Sequence, residues 1–101
     1  MKRSFELTAP AAQDLDQILD YILEDSGPRA ALRVHQRLFE AFSQVAEHPG
    51  IGHHRDDIVD PSLRVWVVFS YLIVYDPASR PVHIIRVIHG ARDLRSAFDE
   101  A

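Results

Sequence analysis

Arginine is the residue type here whose placement can do chemistry. Arg55 lies in a polar loop, Arg64 opens an apolar run, Arg86 sits in the middle of another, and Arg92 follows just beyond it. A guanidinium fork fits carboxylates and phosphates equally well, so this set can hold an acidic protein segment or a nucleic-acid backbone. The bland alternative is internal pairing, Arg86 with a loop aspartate or Arg92 with its neighbour Asp93. Six histidines are present, but their spacing does not suit a metal. His53 and His54 point apart in an extended loop, and no pair four apart on a helix has a carboxylate beside it. His35 falls on an apolar helical stripe and reads as a packed, hydrogen-bonded core residue. His89 closes the last apolar run. Asp56, Asp57 and Asp60 are dense but lack the alternating spacing and glycine of a calcium loop, so a solvated turn is expected. With no cysteine, no Gly-x-Ser-x-Gly elbow and no Gly-rich phosphate loop, neither a catalytic residue nor a cofactor is expected.

The charge balance narrows the partners. Eleven Lys and Arg against fifteen Asp and Glu give a net charge of -4, whereas a protein gripping a nucleic-acid backbone usually carries a cationic surplus. Direct nucleic-acid binding is therefore not expected. The charges are also segregated. Asp14, Asp16, Asp20, Glu24 and Asp25 crowd one segment, and Arg80, Arg86, Arg92 and Arg95 another. No apolar run approaches the ~20 residues of a membrane span, and the N-terminus lacks a signal-peptide stretch. A cytoplasmic chain is expected. At 101 residues the expectation is one domain, 1-101, with one core.

The elements that position these residues follow from periodicity. Ser4 to Leu7 reads as a short edge or end strand. Thr8 is a helix cap and Pro10 a first-turn residue, and the helix running to about Asp25 buries Leu15, Ile18, Leu19, Ile22 and Leu23 while its acidic residues, Asp14 included, face out. Ser26-Gly27-Pro28 ends that helix and starts a second. The second helix carries Ala31, Leu32, His35, Leu38, Phe39, Phe42, Val45 and Ala46 on its apolar stripe. Arg29, Arg33 and Arg37 repeat every fourth position, spaced to meet the acids of the first helix. After Pro49-Gly50 comes the longest loop, then strands at Leu63 to Phe69, Tyr71 to Asp76 and Val82 to His89. The Pro77–Pro81 bracket makes a hairpin connection between the last two. Simple alternation puts Val82, Ile84, Arg86 and Ile88 on one face of the last strand.

This order, with the phrases Asp25-Ser26-Gly27-Pro28, Pro49-Gly50-Ile51-Gly52 followed by Arg55-Asp56, Tyr71-Leu72-Ile73-Val74-Tyr75, and Arg86-Val87-Ile88-His89-Gly90-Ala91-Arg92-Asp93-Leu94, resembles the ParE-type toxins of the RelE/ParE superfamily of type II toxin-antitoxin systems. Phe69-Ser70 stands where such toxins often carry a glycine. The resemblance implies an α+β fold, β-α-α-β-β-β, with a mainly antiparallel sheet and a helical hairpin packed on one face. It implies a role in plasmid stabilisation and growth arrest, and a ParD-like, ribbon-helix-helix antitoxin that folds onto the toxin. ParE-type members poison DNA gyrase by protein contact, while RelE-type members are ribosome-dependent messenger ribonucleases using basic residues and a tyrosine near the C-terminus. A toxin-fold protein that only binds its partner is a third alternative. Counting on from Gly90 and Arg92, the tyrosine position holds Phe98, which keeps a ring but has no hydroxyl for proton transfer. That substitution and the acidic net charge favour the gyrase inhibitor over the enzyme. The partner- or target-facing set expected is Arg55, Arg64, Arg86, His89, Arg92 and Phe98, with Arg64 and Arg86 as antitoxin anchors and Arg29 peripheral.

Overall fold

The computed structural model describes residues 4–57 and 60–90. Two helices lie on one face of a four-stranded sheet of order β1-β4-β3-β2. The strands are β1 (Phe5–Leu7), β2 (Arg64–Val68), β3 (Tyr71–Asp76) and β4 (Val82–His89), and the helices are α1 (Ala9–Ser26) and α2 (Pro28–Glu47). A short 3-10 turn, Pro49–Ile51, follows α2. β1 pairs with β4 in parallel, and the β2-β3 and β3-β4 pairs are antiparallel. The sheet is thus mainly antiparallel, with β1 at an edge.

Local chemistry accounts for the joints. The Thr8 hydroxyl accepts from Ala11 N (3.2 Å) and donates to Ile85 O (2.9 Å), so one side chain both caps α1 and ties it to β4. Between the helices Gly27 has φ 90° and ψ 175°, a region essentially reserved for glycine. Its amide closes α1 on Ile22 O and Leu23 O. Leu38, Ala41, Phe42 and Val45 of α2 are fully buried against Ile73, Tyr75, Val82 and Ile84 of the sheet. Phe5, Phe39 and Phe42 pack edge-on around the β1 end of this core, with centroids 5.1–6.0 Å apart. A smaller cluster of Val65, Leu72, Val74 and Ile88 occupies the opposite face.

Three expectations change. A register shift between Val74 and Tyr75 pairs Tyr75 with Ile84 and Val74 with Arg86, leaving Ile85 as an extra residue in β4. Such a bulge reverses the alternation, so Ile84 joins the helix-side cluster and Ile88 the opposite one, not one shared face. Next, Leu23 and Leu32 are 49% and 58% exposed, and His35 is exposed as well, stacked on Phe39 at 4.4 Å. These residues line the open outer side of the hairpin, whereas Ile22 and Val34 beside them turn inward and pack against the core. Finally, Arg37 meets only Glu40 of its own helix, at 4.0 Å. Among the described residues no ion pair joins the arginines of α2 to the acids of α1. The two charged rows lie on the outer flanks of the hairpin instead of at its seam.

Candidate functional site

The parallel β1–β4 pairing stops at Leu7 and Ile84, which leaves the next stretch of β4 edge to be satisfied by something else. Thr8 N donates to Ile84 O (3.1 Å), and the Thr8 hydroxyl reaches Ile85 O. One turn into α1, Asp14 completes the edge. Its Oδ2 accepts from Val87 N (3.0 Å) and Arg86 Nε (2.7 Å), and its Oδ1 accepts from Arg86 Nη2 (3.0 Å). The Asp14 side chain is 14% exposed and that of Arg86 28%. This is a forked, charge-assisted pair locked to a backbone amide. Hydrogen bonding to Asp14 raises the Arg86 pKa further, against the opposing effect of burial. Asp14 therefore faces the sheet, not solvent, and the partner of Arg86 is a helix carboxylate instead of a loop one. Sequence reasoning missed Asp14. The available signal was that it stands three residues after Ala11 and four before Ile18, on the margin of the buried stripe.

Arg64 is also engaged internally. Its Nη1 donates to Gly52 O (2.8 Å) and Gly50 O (3.4 Å). The same corner is pinned from within by Tyr75, whose hydroxyl donates to Pro49 O (2.7 Å) and accepts from Gly52 N (2.9 Å). Burial pushes the Tyr75 pKa up, while the Gly52 amide and Arg64 pull the other way. Gly52 must be glycine here, because a Cβ would fall 2.6 Å from the Tyr75 hydroxyl and 2.9 Å from Val65 O. Arg55 pairs with Asp57 in the following loop (3.3 Å). Asp60 accepts from Ser62 Oγ and N, which lowers its pKa.

At the other end of the sheet the two-residue β2–β3 turn brings Ser70 beside His89, Oγ to Nε2 3.2 Å, with the Tyr71 ring 5.1 Å from the imidazole. Burial raises the Tyr71 pKa, and the nearby Tyr21 adds to the shift. Phe69 turns this corner at φ 54° and is 57% exposed. The chain thus makes a left-handed turn without the glycine that favours it, at a cost of about 1–2 kcal/mol. Val67 beside it is 54% exposed.

The fourth feature is an open groove between the outer faces of α1 and α2, lined by Leu19, Asp20, Leu23, Pro28, Ala31, Leu32 and His35. Arg29 and Arg33 are exposed on its α2 side. Of the expected site residues, Arg64 and Arg86 are built into the fold at separate places, Arg55 is loop-paired, and His89 lies at the turn end. Arg92 and Phe98 lie outside the described residues. Among the described residues no group of three His, Asp or Glu is arranged to hold a metal ion, and no helix is long and apolar enough to cross a membrane.

The family described as the ParE toxin of the type II toxin-antitoxin system, parDE, matches residues 5–94. The chain belongs to the ParE toxin family. Toxin ParE3 of Caulobacter vibrioides is 28% identical to this ParE-family chain over 87 residues, covering 86% of each. Toxin RelE2 of the same organism is 41% identical over 83 residues, covering 81% of this chain and 89% of its own. Among solved structures, a chain of the chromosomal ParDE system from P. aeruginosa superposes with a TM-score of 0.74, covering 88% of this chain and 97% of its own. At 24% identity that likeness bears on the fold, and it agrees with the order and packing expected for a ParE toxin.

Proposed function

We propose that this ParE-family toxin arrests growth by inhibiting DNA gyrase through protein contact, and that a ParD-like antitoxin neutralises it. The observation that carries the choice of a protein target is where the cations go. Arg86 is taken up by Asp14 and Arg64 by two carbonyls, while Arg80 bonds to Pro77 O and Ser79 O. No cluster of uncommitted cations remains on the described sheet to hold a phosphate backbone, and the chain is acidic overall. The Ser70–His89–Tyr71 end, with exposed Phe69 and Val67, is the target-facing surface in this reading.

The same observation supports a different seat for the antitoxin. Instead of the sheet arginines, the partner segment reads the helical hairpin, laying apolar anchors into the Leu19–Leu23–Leu32 groove and carboxylates against Arg29 and Arg33. Purified protein should abolish gyrase supercoiling, and expression without antitoxin should stop growth with DNA-damage signalling. Codon-dependent messenger cleavage on ribosomes, with gyrase untouched, would overturn the assignment. That second reading, a RelE-like ribonuclease, is favoured by the 41% identity to a toxin named RelE2. The hydrogen-bonded His89 imidazole would be its candidate proton-transfer group.

A further inference from the structure

The outer surface of the hairpin is complementary to itself, and we infer that the free chain pairs through it with a second copy. Asp16, Asp20 and Glu24, four apart, form an exposed acidic row on α1, and Arg29 and Arg33 an exposed basic row on α2. Between the rows runs the apolar groove with its exposed Leu23 and Leu32. Neither Arg29 nor Arg33 has an ion pair or side-chain hydrogen bond among the described residues.

Two such hairpins can face each other in two symmetric ways. A two-fold axis across the helices stacks α1 on α1 and α2 on α2, acid on acid and base on base. A two-fold axis along the helices stacks each α1 on the partner's α2, and this arrangement also keeps every residue at its own height above the tip. Helical rise is about 1.5 Å per residue. Counted from Gly27, Glu24 then lies within about 2 Å of the height of Arg29, Asp20 of Arg33, and Leu23 of Leu32. Asp20 and Glu24 therefore each meet an arginine of the other copy, twice by symmetry, around a centre of four leucines, while Asp16 lies beyond the end of the basic row. The charge pattern selects this one arrangement.

The facing area is small. Two helices about 10 Å wide and about 27 Å long present roughly 500 Å² per copy, at the low end for a specific interface. Exposed ion pairs add only ~0–1 kcal/mol each. The dimer is accordingly weak, concentration-dependent and salt-sensitive. It occupies the surface proposed above for the antitoxin, but it concerns the chain alone and stands whether or not that reading holds.

The test is sedimentation velocity on the purified full chain over a concentration series at low and high salt. The expected result is a monomer–dimer equilibrium that weakens with salt. Arg29→Glu/Arg33→Glu and Asp20→Arg/Glu24→Arg should each dimerise at least ~tenfold more weakly, with unchanged circular dichroism and melting because all four residues are exposed. Mixing the two variants should restore association as a heterodimer, which no effect on folding can produce. A wild-type chain monomeric throughout, or a mixture that fails to associate, overturns the inference. A monomer that still binds an antitoxin segment on the hairpin overturns self-association alone and leaves the antitoxin reading standing.

Discussion

The arginines of the sheet and those of the hairpin have the same chemistry and opposite circumstances. Arg86 and Arg64 are fixed by three short hydrogen bonds between 2.7 and 3.0 Å and a longer one at 3.4 Å. Arg29 and Arg33 stand in solvent beside exposed leucines. The first pair therefore acts on folding, and the second is available for recognition. A forked, partly buried pair loses stability when either side is removed, because the other charge is left desolvated. Exposed arginines can be reversed at almost no cost to the fold.

The strongest way to break that contrast is Asp14→Ala. It removes the carboxylate from Arg86 and the acceptor from the Val87 amide together, and should lower unfolding free energy by about 2–3 kcal/mol in urea titration. Arg86→Ala should follow closely, with antitoxin affinity of the folded fraction within about twofold of wild type. Arg86→Lys should not rescue it, since a point charge cannot make the fork. A loss of antitoxin binding without a loss of stability would return Arg86 to the partner surface.

Next in size is the corner beneath Arg64. Gly52→Ala should cost about 1–3 kcal/mol by forcing a methyl against the Tyr75 hydroxyl and the Val65 carbonyl. Tyr75→Phe should cost about 1–2 kcal/mol through two lost hydrogen bonds, with a signature in pH. Burial raises the folded pKa of Tyr75 above its ordinary value of 10.0, so its contribution is present below that value and is lost as pH climbs through the raised one. Alkaline unfolding curves should therefore fall less steeply for Tyr75→Phe than for the parent.

Phe69→Gly tests the strained turn from the opposite direction. Relief of the positive φ should raise stability by up to about 1 kcal/mol. Loss of the exposed ring should weaken gyrase inhibition, so stability and activity move apart. An unchanged inhibition constant would remove Phe69 from the target surface. The smallest effect belongs to the hairpin. Arg29→Glu should leave the melting temperature unaltered, a change within about 0.5 kcal/mol, while lowering antitoxin affinity at least ~tenfold by calorimetry.

Periodicity and punctuation in the chain determined the element order, the Thr8 cap, the Gly27 joint and the three C-terminal strands, because each depends on neighbours a few residues away. They also determined the family, through phrases spread over most of the length. Tertiary structure alone decided what the charges do. Asp14 and Arg86 are 72 residues apart, and they meet because β1 ends early and leaves a β4 edge that α1 must satisfy. The bulge at Ile85 then turns the strand, and no local pattern announces it, since Ile84 and Ile85 are alike and either could take the paired position. Leu23, Leu32 and His35 keep the spacing of buried residues, yet they line the open outer groove of the hairpin while Ile22 and Val34 beside them pack inward. Helical spacing defines a face, but whether its margin meets a core or solvent depends on where the other elements lie.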